Sequence, residues 1–152
     1  MIKKHVIYTL TLLILLAITC KVSAQQIKNE ENIFKAELER ETWITDKILG
    51  LNPNIKRYKL NKFTQRKFAG NLTRFNKINF SSEYVAPCGN DYFTTVVGKY
   101  TFINKNKISI SVDSVTYQGE WKRPTEHRKT EILFFLISKV EDTIFLTKEN
   151  GL

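Results

Sequence analysis

The chain has 152 residues, a formal net charge of +9, and a composition that is 42% hydrophobic and 26% charged. This balance is typical of one globular domain and excludes a disordered, collagenous or multidomain protein. Two cysteines are present, and one of them lies in the expected leader, so the exported form has no cysteine pair for an internal disulfide. A domain of this size buries enough apolar surface to fold without one.

Residues 1–24 have the features of a secretory signal peptide. Lysines near the start are followed by the apolar run Val6–Ile18, which is too short to span a bilayer, and then by small residues up to Ala24. We therefore expect cleavage near Ala24 and a secreted or periplasmic protein. The alternative is a lipoprotein anchored at Cys20, because the residues before this cysteine loosely resemble a bacterial lipobox.

Charge is unevenly distributed along the expected mature chain, which carries +6 because residues 1–24 contain three lysines and no acidic residue. The segment Glu30–Asp46 contains six carboxylates and two basic residues. The segment Lys47–Ser82 contains nine basic residues and no acidic one. This asymmetry indicates either a cationic surface or an acidic segment that packs against basic strands.

Residues 25–52 are expected to form a helical or irregular N-terminal segment. Its apolar residues recur at roughly helical spacing. They are Ile33, Phe34, Leu38, Ile44, Ile48 and Leu49. The alternative for part of this segment is a strand that begins at Thr42–Thr45, whose β-branched and aromatic residues favour extended structure. Gly50 and the sequence Asn52–Asn54 then predict a loop.

Residues 53–152 are expected to form an antiparallel β-domain, because the hydrophobic period changes from about 3.6 to about 2 after Pro53. The alternating segments are Lys56–Lys62, Ile78–Tyr84, Val96–Phe102 and Ile108–Val112. Asn104–Lys107 predicts a hairpin turn, since Asn tolerates the positive φ of tight turns. We expect about seven or eight strands, the last of them over Thr143–Thr147.

The run Ile132–Ile137 differs from these segments because it is apolar on both faces. This pattern predicts either a strand covered on both sides or a short buried helix, and its β-branched and aromatic content favours the strand. The stretch Pro124–Arg128 before it is charged, and we interpret it as a surface loop.

Several short segments are similar to small secreted bacterial β-domains of the lipocalin-like and META-like kind. They are Trp43, Ile78–Phe80, Cys88–Phe93, Val97–Tyr100 and Asp142–Thr147. The resemblance implies a small antiparallel β-barrel in an exported protein, preceded by the short N-terminal helical or irregular segment. It implies no catalytic role, and no functional residue is carried over from either family.

The most enzyme-like group combines Cys88 with His127 and a carboxylate such as Asp91 or Asp113, since a thiol nucleophile needs a nearby imidazole to form thiolate. The favoured alternative is a turn cysteine and a solvated histidine. No pair of ligands has zinc-site spacing, and the glycines show no phosphate-binding arrangement. We therefore expect no enzyme, metal or cofactor, with a small cysteine-dependent enzyme as the alternative.

Cations alternate with aromatic residues in the basic segment, as in Arg57–Tyr58. Neighbouring side chains of a strand point to opposite faces, so such steps send the ring inward and the cation outward, which argues against a nucleic-acid partner. The candidate anion-binding residues are Arg57, Lys59, Lys62, Arg66 and Lys67. Three explanations stay open: sheet-edge protection and solubility, binding of an acidic glycan, lipid or protein surface, and pairing with the acidic Glu30–Asp46 segment.

The sequence indicates non-enzymatic binding or an envelope-accessory role, with a small apolar ligand or an anionic envelope surface as the expected partner. The candidate ligand-binding residues, on the inner face of the sheet, are Tyr84, Tyr100, Phe102 and Trp121. The alternative is a solid interior, because small barrels fill their interiors with side chains.

Overall fold

The computed structural model describes residues 33–64, 69–87, 91–120, 122–128 and 131–149. The expected signal peptide and the residues Cys20, Arg66, Lys67, Cys88 and Trp121 therefore lie outside the described residues. The described part contains one helix, α1 (Ile33–Arg40), and nine strands. The strands are β1 (Thr42–Thr45), β2 (Arg57–Lys62), β3 (Gly70–Asn76), β4 (Asn79–Val85), β5 (Tyr92–Asn104), β6 (Lys107–Gly119), β7 (Arg123–His127), β8 (Ile132–Val140) and β9 (Thr143–Lys148).

The strands form one antiparallel sheet that closes on itself. Its order is β5-β4-β3-β1-β2-β9-β8-β6-β7, and β5 also pairs with β6. All strands except β7 therefore belong to a ring, and β7 lies beside the C-terminal half of β6. This arrangement confirms the predicted mainly β, antiparallel fold with a short N-terminal helix. Within the described ranges, no helix combines the length and hydropathy that a membrane span requires.

The N-terminal segment contains both of the predicted structures. Helix α1 ends at Arg40 and β1 begins at Thr42, so the strand alternative is confirmed for this part of the chain. Trp43 and Thr45 are buried, whereas Thr42 and Ile44 are partly exposed. This is the two-residue period of a strand with one covered face.

Inward-facing side chains of the ring form one hydrophobic core. The largest fully buried side chains are Trp43, Tyr58, Phe135, Leu38, Leu49 and Leu60. The predicted alternation is confirmed in β2 and in β4, where Phe80 and Ser82 are buried. Ile78 does not belong to this inner face: its side chain is 60% exposed because it lies in the β3–β4 turn, where Lys77 has a φ of 57°.

A bulge in β6 shifts the alternation of buried and exposed residues along that strand by one residue. Every second residue up to Val112 is buried, but beyond the bulge the buried residues are Val115 and Tyr117. In the β5–β6 register Gly98 pairs with Val112, and Asp113 is the extra residue without a partner on β5. The bulge thus directs the later apolar residues of β6 back into the core.

The segment interpreted as a surface loop forms strand β7 instead. It pairs with β6, with His127 opposite Ser114, and nearly all its residues are exposed. Pro124 is tolerated because β7 is the last strand in the sheet order, so its second edge needs no ladder hydrogen bonds. An edge strand that is exposed on both faces needs no alternation of apolar and polar residues. The sequence pattern therefore did not indicate a strand here.

The N-terminal segment covers the core at two places. Helix α1 packs Leu38 into the core, and the carbonyl of Leu38 accepts a hydrogen bond from Trp43 Nε1 at 3.1 Å. The loop after β1 enters the ring, where the backbone N–H of Leu49 donates to Ser82 Oγ at 2.9 Å. Gly50 has a φ of 79°, and a Cβ on it would lie 2.7 Å from the side chain of Val112. Glycine is therefore required at this close approach.

Candidate functional site

The inner rings predicted to bind a ligand are separated in the structure. In the β4–β5 pair, Tyr84 and Tyr100 lie at opposite ends. Tyr84 is half-buried, and its hydroxyl donates to Asp91 Oδ2 at 2.9 Å. Tyr100 is buried, and its ring packs edge-on against those of Phe75 and Phe102, with centroids 5.1 and 6.2 Å away. Tyr100 and Phe102 are thus neighbours, whereas Tyr84 belongs to a different environment.

Tyr100 connects helix α1 to the ring. Its hydroxyl donates to Glu39 Oε1 at 2.6 Å. Burial of the phenol, together with the hydrogen bond and the negative charge of Glu39, raises the pKa of Tyr100 well above its usual range. The phenol therefore stays protonated at physiological pH and holds the helix in place.

The described inner side chains pack against each other rather than around an open cup. One continuous cluster includes Trp43, Tyr58, Phe80 and Phe135, with Phe102 packed against it. An open groove of about 440 Å³ lies elsewhere, with Arg74, Ser81, Val97 and Asp113 in its lining. Arg74, Ser81 and Val97 alternate with buried neighbours, which places the groove on the outer face. Binding of a small apolar ligand to the inner rings stays a prediction.

The residues of the enzyme alternative are engaged or exposed wherever the structure describes them. His127 is exposed on β7. Asp91 accepts hydrogen bonds from the Tyr84 hydroxyl and, at 2.8 Å, from the backbone N–H of Tyr92. Asp113 is exposed at the β6 bulge. Among the described residues, no group of three His, Cys, Asp or Glu side chains could hold a metal ion. Pairing of Cys88 with His127 stays the less favoured hypothesis.

The predicted cations separate into two groups. Arg57 and Lys59 are exposed on the outer face of β2, where the intervening residue is buried. Lys62, on the same strand, is turned toward helix α1, with Nζ 3.7 Å from a carboxylate oxygen of Glu37 and 4.0 Å from one of Glu41. Lys62 thus pairs with the acidic segment, which is one of the three explanations considered for the basic residues.

Arg57 and Lys59, called the β2 cations below, form no salt bridge with a carboxylate of the described residues. The guanidinium carbon of Arg57 lies 3.9 Å from the centroid of the Phe145 ring. The nearby Asp46 is engaged, because it accepts the backbone N–H of Lys59 at 2.9 Å and lies 3.3 Å from Lys47 Nζ. The β2 cations therefore keep their charge available to an external anion.

Strand β8 exposes three large apolar side chains in a row. Ile132, Phe134 and Leu136, called the β8 stripe below, are 55%, 38% and 40% exposed, whereas the alternate residues are buried. The strand interpretation of this run is confirmed, but the expectation of cover on both sides is wrong, since the outer face is open. The uninterrupted apolar run was the sequence signal of this stripe, because a strand with one face in water ordinarily carries polar residues on that face.

Hydroxyl and cationic side chains border the β8 stripe on both neighbouring strands. On β6 its residues face Ser111, Ser109 and Lys107 in turn. On β9 Leu136 faces Thr147, which in turn faces Arg57 on β2. Lys107 Nζ lies 5.3 Å from the ring centroid of Phe134 and also forms a salt bridge with Glu149. We call the β2 cations, Phe145, the β8 stripe and Lys107 together the cationic-apolar face.

Sequence reasoning identified two residues of this face. It identified the β2 cations from their alternation with buried apolar residues. It missed the β8 stripe, because hydrophobic periodicity cannot say whether an apolar face is covered. Comparison with known proteins adds no assignment: no family model, curated protein or solved structure matches the chain.

Proposed function

We propose that this chain is an exported, non-enzymatic binding domain of the lipocalin-like or META-like barrel type, and that it binds an anionic surface through the cationic-apolar face. The observation that carries the proposal is the pair of β2 cations. Both are exposed on one strand without a carboxylate partner among the described residues. Arg74 and Arg128, by contrast, are paired with Glu83 and Glu126.

Uncompensated cations on one face produce a local positive potential that attracts anionic partners. The net charge of the expected mature chain, +6, acts in the same direction. The packed inner cluster supports an outer binding surface, since its side chains occupy the space that an internal ligand would need. The closed antiparallel ring supports the barrel type.

Retention on immobilised heparin, an anionic polymer, tests the proposal. The variant Arg57→Glu with Lys59→Glu removes the β2 cations. The control Lys77→Glu with Lys122→Glu changes the net charge equally at two exposed lysines on other parts of the surface. We expect the first variant to elute at clearly lower salt than wild type and the control to elute close to it, because exposed charges act over about 10 Å at ordinary ionic strength.

Two outcomes would contradict the proposal. If the wild-type protein passes through heparin without retention at low salt, the face does not bind anions. If both variants elute equally early, retention depends on net charge alone, and the β2 cations contribute only to solubility.

A further inference from the structure

We infer that the anionic surface is that of a lipid bilayer, in which the β8 stripe enters the interfacial region while the β2 cations contact lipid headgroups. This inference rests on the proposed function and identifies the class of its partner. It is carried by a second observation, the three exposed apolar side chains of β8.

The geometry of the β8 stripe suits insertion of its side chains into the bilayer interface. Its three side chains alternate along one strand and therefore point in the same direction, over a length of about 14 Å from Ile132 to Leu136. Single exposed apolar residues are ordinary on protein surfaces, but a contiguous row indicates an interaction site. Exposure of an apolar row to water is unfavourable, and its transfer into an acyl-chain environment is favourable.

The side chains around the stripe follow the polarity gradient of a bilayer surface. Beside the apolar residues lie the small hydroxyls Ser109, Ser111 and Thr147. Arg57 follows one strand further out, about 10 Å from the stripe for strands about 4.8 Å apart. Long basic side chains extend toward headgroups from an apolar surface, and the Arg57 guanidinium lies over the Phe145 ring at this boundary.

A second copy of the chain fits this face less well than a bilayer does. In a two-fold dimer the same patch meets itself, so both copies would bring their β2 cations into one interface. Like charges brought together at an interface are unfavourable. An anionic bilayer instead supplies apolar cover for the stripe and negative charge for its flanks, and such two-part binding is what anchors peripheral proteins stably.

Cosedimentation with vesicles tests the inference, using the exported full chain so that every variant has the same N-terminus. The vesicles are phosphatidylcholine alone and phosphatidylcholine mixed with phosphatidylglycerol. We expect binding to the anionic vesicles that falls by about fivefold for each β2 cation removed. Replacement of the stripe residues, Phe134→Ser with Leu136→Ser, is expected to weaken vesicle binding by about tenfold or more while heparin retention stays at the wild-type level.

The matched control is Ile78→Ser with Val97→Ser, which removes two apolar side chains that are 60% and 39% exposed, in the β3–β4 turn and on β5. This variant is expected to bind vesicles as wild type does. Circular dichroism and thermal unfolding establish that both serine variants are folded.

A second measurement does not depend on removing the stripe. The variant Leu136→Trp places a fluorophore on the stripe, and Asn76→Trp places one on an exposed position of β3, which lies across the ring from β8. We expect phospholipids brominated in their acyl chains to quench the additional emission of the first variant and not that of the second.

The outcomes separate this inference from the proposed function. Loss of heparin retention on reversal of the β2 cations, combined with unchanged vesicle binding of the Phe134→Ser, Leu136→Ser variant, would keep the proposed function and overturn the bilayer. Vesicle binding without quenching at position 136 would also overturn it. A wild-type protein that is retained on heparin but does not sediment with anionic vesicles would indicate an acidic glycan or protein instead. No retention on heparin would contradict the proposed function itself.

Discussion

Replacing Leu38 by Ala tests what holds helix α1 against the sheet. Leu38 is fully buried in the core, although the side chains of the other residues in Phe34–Arg40 are partly or fully exposed. A helix this short is not stable alone, so its position depends on tertiary contacts. Truncation of a buried leucine removes apolar burial and leaves a cavity, which together lower the free energy of unfolding by about 2–5 kcal/mol.

The competing explanation is that ion pairs hold the helix. Glu37 accepts hydrogen bonds from Lys139 Nζ at 2.8 and 3.0 Å and lies 3.7 Å from Lys62 Nζ. About a third of each lysine side chain is exposed, although Glu37 itself is only 11% exposed, so each pair is expected to contribute about 1 kcal/mol. The variant Glu37→Gln should therefore cost much less than Leu38→Ala.

Urea unfolding monitored by tryptophan fluorescence measures both variants, since buried Trp43 hydrogen bonds to the carbonyl of residue 38. We expect the midpoint to fall strongly for Leu38→Ala and slightly for Glu37→Gln, with similar slopes against urea because the surface exposed on unfolding changes little. If Glu37→Gln destabilises the protein as much as Leu38→Ala does, electrostatic contacts rather than apolar burial position the helix, and the reasoning is wrong.

Two further predictions concern the core. Gly98→Ala should lower the free energy of unfolding by about 1–3 kcal/mol, because an added Cβ would lie 2.1 Å from the carbonyl oxygen of Ser111; a thermal midpoint equal to wild type would contradict the close approach. Burial and Glu39 raise the pKa of Tyr100 in the folded state. The protonated phenol therefore contributes fully to the free energy of unfolding below about pH 10, the pKa in the unfolded chain. This contribution is lost as the pH rises through the folded-state pKa. Urea midpoints measured from neutral to alkaline pH should therefore fall less steeply for Tyr100→Phe than for wild type, and equal slopes would show that Tyr100 does not carry this dependence.

Hydrophobic periodicity was sufficient to predict the ring strands that cover the core on one face. Tyr58 and Leu60 in β2, and Val96 and Tyr100 in β5, are buried as their two-residue spacing indicates. The turn at Asn104–Lys107 was also predictable, because Asn residues favour tight turns and β5 ends where that turn begins. These features depend on neighbouring residues alone, so a single sequence contains them.

Features that depend on distant partners were not predictable. The sequence of β6 does not show that Asp113 is an extra residue, because a bulge is defined by the register with β5. Lys62 and Lys59 belong to opposite faces of the same strand, and the position of Glu37 beside Lys62 makes it a paired cation. Local pattern thus identified the cations but could not divide them between structure and binding.

The bulge at Asp113 has a consequence for how the chain tolerates change in length. The bulge sets the frame of the pleat in β6. Deletion of Asp113, its extra residue, would leave Val112, Val115 and Tyr117 at alternate positions of a regular strand and keep them inside. One further inserted residue would instead rotate Val115 and Tyr117 out to solvent and bring Ser114 and Thr116 inside. Exchange of the Asp113 side chain leaves that frame intact. This position in β6 therefore tolerates exchange or deletion of its residue, whereas insertion of another residue is not tolerated.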